Sequence, residues 1–174
     1  MASNFISYTK HGVAESTLLK ATQVGHHYNL VNETKDIDNG SVAVIGDRKR
    51  ADVFEAKVPT VGDKIVLILT APKIYEEYTT RMQEESNFYN GKGEVMRAYE
   101  IQDTDRFTLS KEAFNSDAVL EVGKYVFVDG NDFKLTTGEK PDMTKYGFVG
   151  HIYEVASNGN YRVWVDKNAQ VYTA

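Results

Sequence analysis

The chain has 174 residues, 41% of them hydrophobic and 26% charged, with a formal net charge of −5 and no cysteine. That composition suits one folded domain with a real core, and it excludes disorder throughout, collagen and a disulfide scaffold. The missing thiols also remove cysteine nucleophiles, thiolate metal sites and dithiol redox chemistry, and 25 acidic residues against 20 basic ones leave no electrostatic footprint for nucleic acid.

The residue types favour strands. There are 19 Val and 8 Ile against 8 Leu, alongside 11 Tyr, 8 Phe and 14 Thr. β-Branched and aromatic side chains fit a pleated, half-buried surface, whereas a helical protein would favour Leu and Ala. The expected fold class is mainly β: a small antiparallel β-barrel or sandwich with one short helix and an extended N-terminal arm.

In chain order, residues 1–36 are expected to form that arm. They are polar, and their scattered apolar residues Phe5, Ile6, Tyr8, Leu18, Leu19 and Tyr28 follow no sustained period. Residues 37–174 are expected to form the β-rich body. At the junction, Asp36-Ile37-Asp38-Asn39-Gly40 faintly resembles a calcium loop, but its Gly comes one place early and Gly46 stands where a Glu is needed, so it reads as a turn. Strand candidates follow at 41–45, 53–57 and 64–70, with Arg48-Lys49-Arg50 as a solvated turn. The longest aliphatic run, Ile65-Val66-Leu67-Ile68-Leu69, falls far short of the roughly 20 residues that cross a bilayer as a helix. The N-terminal residues lack the charged-then-apolar layout of a signal peptide, so a soluble protein made in a cytoplasm is expected.

A helical insertion is expected near 73–90. Pro72 can open it, Glu76 and Glu77 complement its dipole, Ile74, Tyr78 and Met82 form a stripe, and Asn90-Gly91 can end it. Strand candidates resume at 94–101 and 106–109. A hairpin should pair 125–128 with 133–136 around Asp129-Gly130-Asn131, and the C-terminal hairpin should run from 148–155 through Ser157-Asn158-Gly159-Asn160 into 161–165. Val61-Gly62, Val122-Gly123 and Val149-Gly150 each precede a strand, where Gly permits a corner or bulge.

The histidines, His11, His26, His27 and His151, match no helical metal-binding spacing. Adjacent His26 and His27 would point to opposite faces of a strand and could not share a metal; a zinc site from one of them with Glu33 or Asp36 is the weaker reading. His151 reads as a half-buried sheet residue. Gly91-Lys92-Gly93 is no phosphate loop, no G-x-S-x-G elbow occurs, and the carboxylate pairs Glu84-Glu85 and Asp103 with Asp105 read as solvation. No catalytic residue, metal or cofactor is therefore assigned, and a non-enzymatic protein is expected. Around the only Trp, alternation puts Tyr161, Val163 and Val165 on one face and Arg162, Trp164 and Asp166 on the other. Arg162 lying over the indole would make a second packed face; the functional alternative makes Trp164 and Arg162 a surface anchor, since Trp, Tyr and Arg dominate interface hot spots.

In the arm Ala2-Ser3-Asn4-Phe5-Ile6-Ser7-Tyr8, in Arg106-Phe107-Thr108-Leu109-Ser110-Lys111-Glu112-Ala113-Phe114, in Val122-Gly123-Lys124-Tyr125-Val126-Phe127-Val128 and in Val149-Gly150-His151-Ile152-Tyr153, the chain resembles the head-decoration, or capsid-cement, proteins of tailed bacteriophages. The resemblance is one of organisation and rests on no diagnostic motif. It implies a structural virion protein, made in the host cytoplasm, that binds the outer surface of the assembled capsid and braces it against internal pressure. The implied partner is the major capsid protein, and many such proteins also self-associate as homo-oligomers; neither nucleic acid nor a membrane is expected as a partner. Phe5, Ile6, Tyr8, Leu18, Leu19 and Tyr28 would then be the capsid-contacting residues. The alternatives are a non-catalytic β-module binding a carbohydrate or host surface, and another virion structural component.

Overall fold

The computed structural model describes residues 10–72 and 84–172. In chain order its elements are β1 (Ala14–Leu18), helix α1 (Lys20–Gln23), β2 (His27–Val31), β3 (Val42–Arg50), β4 (Val53–Lys57), β5 (Val66–Ile68), β6 (Val95–Glu100), β7 (Arg106–Leu109), β8 (Tyr125–Phe127), β9 (Thr136–Gly138), β10 (Phe148–Val155) and β11 (Tyr161–Asn168). Single 3-10 turns occupy Glu85–Asn87 and Lys111–Ala113. The chain is mainly β, as its residue types require.

The strands divide between two sheets. Five close into a barrel in the order β2-β4-β3-β5-β6, and six form an open sheet in the order β1-β7-β11-β10-β8-β9. The open sheet is antiparallel throughout. The barrel departs from the expected antiparallel arrangement at one seam, because β2 runs parallel to β4 while pairing antiparallel with β6.

Two cores result. Leu30, Ala43, Ala56, Val66, Ile68, Met96 and Ala98 fill the barrel, and Phe133 joins them from the loop between β8 and β9. Three alanines in that set suit the narrow lumen of a five-stranded barrel. The larger core lies between barrel wall and open sheet, where Val42, Leu67 and Ile101 meet Phe107, Leu109, Val126, Ile152, Val163 and Val165. Strand β5 serves both cores. Val66 and Ile68 pack in the barrel set while Leu67 packs in the other, and all three are buried. A strand apolar on both faces reads as a continuous run rather than an alternation, which accounts for Ile65-Val66-Leu67-Ile68-Leu69.

The expected arm is corrected over residues 10–36, which belong to the fold. β1 is an edge of the open sheet, pairing Ala14 with Leu109, and β2 closes the barrel, pairing His27 with Tyr99. Leu19, Leu30 and Val31 are buried. The sequence pattern misleads here because both strands take partners far along the chain, and β1 is an edge strand with mixed exposure. Residues 1–9, with Phe5, Ile6 and Tyr8, lie outside the described residues.

Most of the expected helix at 73–90 also lies outside them. Its described end is irregular after the 3-10 turn, and Asn90 stops no helix: it is buried, donating to the Ile37 carbonyl at 2.9 Å and to Asn39 Oδ1 at 3.3 Å. Asn39 in turn clamps both the amide and the carbonyl of Thr70. These Asn-Gly turns thus seal one end of the barrel instead of lying at exposed hairpin tips. Within the segment 36–40, Ile37 bridges Asn90 and Asn39-Gly40 make a turn, with Gly40 at φ +83.

The C-terminal hairpin forms as expected, with a longer second strand. The other hairpin shifts its return strand to β9, because Phe133 is committed to the barrel core and Leu135 to the core beneath the open sheet. Strands expected at 53–57 and 106–109 match β4 and β7.

Candidate functional site

The open sheet covers the larger core with one face and presents the other outward. Strand alternation puts Phe107, Leu109, Val163 and Val165 inward, so Arg106, Arg162 and Trp164 stand outward. Register then aligns one residue from each of five strands in a single row: Tyr125 of β8 opposite His151 of β10, His151 opposite Trp164 of β11, Trp164 opposite Arg106 of β7, and Arg106 opposite Leu18 of β1. Leu18 is 43% exposed and the other four are half-buried.

Two bulges between β10 and β11 complete the row. Val149 pairs with Lys167 but Gly150 with Val165, leaving Asp166 as the extra residue; Ile152 pairs with Val163 but Glu154 with Arg162, leaving Tyr153 as the second. Bulges re-aim side chains. Asp166 here meets His151 Nδ1 at 2.8 Å, and the Tyr153 ring stands perpendicular to the indole of Trp164, with centroids 6.1 Å apart. Gly150 is required at the first bulge, where a Cβ would come within 2.7 Å of the Trp164 carbonyl oxygen.

The cation over the indole is Arg106, 5.1 Å from the ring. This corrects the expectation for Arg162, which instead donates to Glu154 Oε2 at 2.8 Å. Glu154 stands opposite Arg162 across the strands, and its carboxylate raises the guanidinium further above its ordinary range. The Arg106 side chain has no hydrogen bond or ion pair among the described residues. The buried side-chain nitrogens and oxygens without a partner, among those residues, are the Nε atoms of Arg106 and Arg162.

The other sequence-derived site residues scatter. Leu19 is wholly buried and cannot touch a partner, whereas Leu18 beside it is exposed on the edge strand. Tyr28 lines a shallow pocket of about 180 Å³ at the barrel mouth with Val44, Ile45, Lys64, Val66 and Glu100. Lys64 and His26 both pair with Glu100 at its rim. His11 bonds Asp38 at 2.8 Å and packs on Tyr89, tying the first described residues to the barrel end. His27 lies beside Tyr99, and no group of three or more His, Asp or Glu among the described residues could hold a metal ion. Asp36 accepts from the Lys92 amide, as a turn residue would.

The structure therefore brings Trp164 together with Arg106, Tyr153, His151 and Tyr125, of which only Trp164 had been singled out as an anchor. Alternation in Arg106-Phe107-Thr108-Leu109 marks Arg106 as outward-facing; its position against Trp164 depends on a strand pairing that no local pattern encodes. The chain matches no protein family, no curated protein and no solved structure.

Proposed function

We propose that this chain is a structural virion protein that binds the outer surface of an assembled phage capsid, with the outward face of the six-stranded sheet as its docking surface. The supporting observation is the row Tyr125, His151, Trp164, Arg106 and Leu18 across five adjacent strands. Trp, Tyr and Arg are the residue types that carry most interface energy. Half-buried side chains fixed by strand pairing also lose little conformational freedom on docking. A body built on two cores can lie across a junction between capsid subunits, and each contact it makes raises the effective concentration for the next.

Mixing the purified protein with undecorated heads and sedimenting them tests this reading. Saturable co-sedimentation is the expected result; protein left in the supernatant at every concentration refutes it. Trp164→Ala is expected to weaken attachment about thirtyfold, the effect of removing a hot-spot side chain. The carbohydrate alternative is less favoured, because Arg106 lies over the indole where a sugar ring would stack. A glycan array is expected to give no hit.

A further inference from the structure

We infer that Arg106 is the specificity-determining residue of this face, and that its guanidinium receives a carboxylate from the surface of a protein partner. The inference rests on the reading of the sheet face as a docking surface and deepens it by naming the chemistry recognised.

The argument is an inventory of charge on one face. Arg162 is held by Glu154 and His151 by Asp166, each at 2.8 Å. Arg106 alone among these three basic side chains has no carboxylate. A guanidinium offers five donors in a planar fork; Nε of Arg106 is buried, while its terminal nitrogens are neither buried nor bonded within the described residues and stay open to an acceptor from a partner. Both orphaned buried nitrogens, Nε of Arg106 and Nε of Arg162, belong to this face. Arg106 is paired with Trp164 and Arg162 with Thr108, so the two arginines are diagonal neighbours on adjacent strands.

The chain's own carboxylates nearby are engaged elsewhere. Asp103 accepts the Asn168 amide, Asp105 accepts the Gln102 and Lys20 amides, and Glu15 accepts from Asn158 at 3.4 Å. Arg106 instead lies against the indole. That contact uses the ring face and no hydrogen bond, so it leaves the guanidinium donors for a bidentate carboxylate.

The surroundings select a carboxylate on a protein over a polyanion. Glu15, Glu154 and Asp166 share the face, and the chain carries a net charge of −5, so the repeated phosphates of a nucleic acid would meet three carboxylates for one unpaired arginine. A single Asp or Glu amid apolar neighbours meets Arg106 flanked by Leu18 and Trp164. Charge and apolar contact are then complementary together.

The test uses Arg106→Gln and Arg106→Lys in the full chain, with near-UV circular dichroism and thermal unfolding to establish that each variant folds. Trp164 is the sole Trp, so its fluorescence reports on this face directly. Binding to undecorated heads is expected to weaken about thirtyfold or more in Arg106→Gln, the usual loss when one member of a hydrogen-bonded charge pair is removed. Arg106→Lys should recover only part of it, since a lysine keeps the charge and loses the fork. Titration with a blocked hexapeptide carrying one Glu among Ala and Leu residues is expected to change Trp164 fluorescence in the wild type and not in Arg106→Gln. Inorganic phosphate and blocked hexalysine should have little effect on either. Unchanged head binding by a folded Arg106→Gln overturns the inference, as does a peptide response that survives the substitution, or a stronger response to phosphate. If the wild type fails to bind heads, the docking reading falls and the peptide titration still decides this one: a response lost in Arg106→Gln upholds it, and no wild-type response overturns it.

Discussion

Asn168, the last residue of β11, joins the two sheets through its side chain. Nδ2 donates to the carbonyls of Ile65 and Ile101 at 2.9 and 2.8 Å, and Oδ1 accepts from the Ile65 amide at 3.0 Å. The residue is 7% exposed, so water cannot replace these bonds. Asn168→Ala leaves one buried donor and two buried acceptors unpaired. At about 1 kcal/mol or more for each group, the expected loss is about 3 kcal/mol. For a domain of this size that is a fall in Tm of about 6 to 12 °C, measurable by far-UV circular dichroism with a parallel urea titration. Asn168→Asp sharpens the test. It keeps the acceptor for the Ile65 amide but sets a carboxylate against two carbonyl oxygens, which raises its folded pKa above the unfolded value of about 3.9. A raised folded pKa means the folded state binds the extra proton. The variant is therefore expected to lie closest to wild type in stability below about pH 4 and to fall away from it as pH rises through its folded pKa. An Asn168→Ala protein within about 1 kcal/mol of wild type would refute the reasoning, as would an Asn168→Asp protein whose stability difference ignores pH.

Further outcomes follow from other contacts. Deleting residues 1–36 removes β1 and β2, opening the barrel and stripping an edge from the sheet; loss of cooperative thermal unfolding is expected, and a body that still unfolds in one sharp transition would restore the arm reading. Gly147→Ala would place a Cβ within 2.2 Å of the Asp63 carbonyl oxygen, and a destabilisation of about 3 kcal/mol or more is expected in urea. Burial alone would raise the Asp63 carboxyl, but hydrogen bonds from Gln170 and from the amide and hydroxyl of Thr60 outweigh it and hold the group below its ordinary range. Its stabilising contribution is present above the unfolded pKa of about 3.9 and is lost as pH falls through the lower folded value. Asp63→Asn should accordingly flatten the acid limb of the stability curve, seen as a smaller drop in Tm between about pH 5 and pH 2 than in the wild type.

The legible parts of the fold are those whose cause is local. β10 and β11 are rich in β-branched and aromatic residues and meet at an Asn-Gly tip, so residues 148–155 declare their own partner. β5 is legible as a strand because a short aliphatic run has little else to become, although its double burial is a tertiary fact. β2 is illegible for the opposite reason. Its His27-Tyr28-Asn29 half looks like a polar linker until β4 and β6 flank it. On the candidate site, the side of the sheet that Trp164 faces follows from alternation alone. Its cation does not: choosing Arg106 over Arg162 requires the register of β7 against β11, and choosing Tyr153 requires knowing that a bulge releases it.

The long-range pairing of β1 and β2 also shapes how the protein is made. Both strands leave the ribosome early, yet β2 cannot close the barrel until β6 has been synthesised, and β1 docks on β7, whose other neighbour is β11 near the far end of the chain. At roughly 5 to 20 residues per second that is a wait of several seconds. During it, Leu30 and Val31 stand exposed on a strand with both edges unpaired, which makes the nascent chain a substrate for holding chaperones. Assembly is therefore expected to be largely post-translational and slow, as non-local β pairings generally are. β11 emerges after both of its neighbours, inserts between β7 and β10 and completes the open sheet. Trp164 rides on that strand, so the row it centres comes into being only when the rest of the sheet is in place.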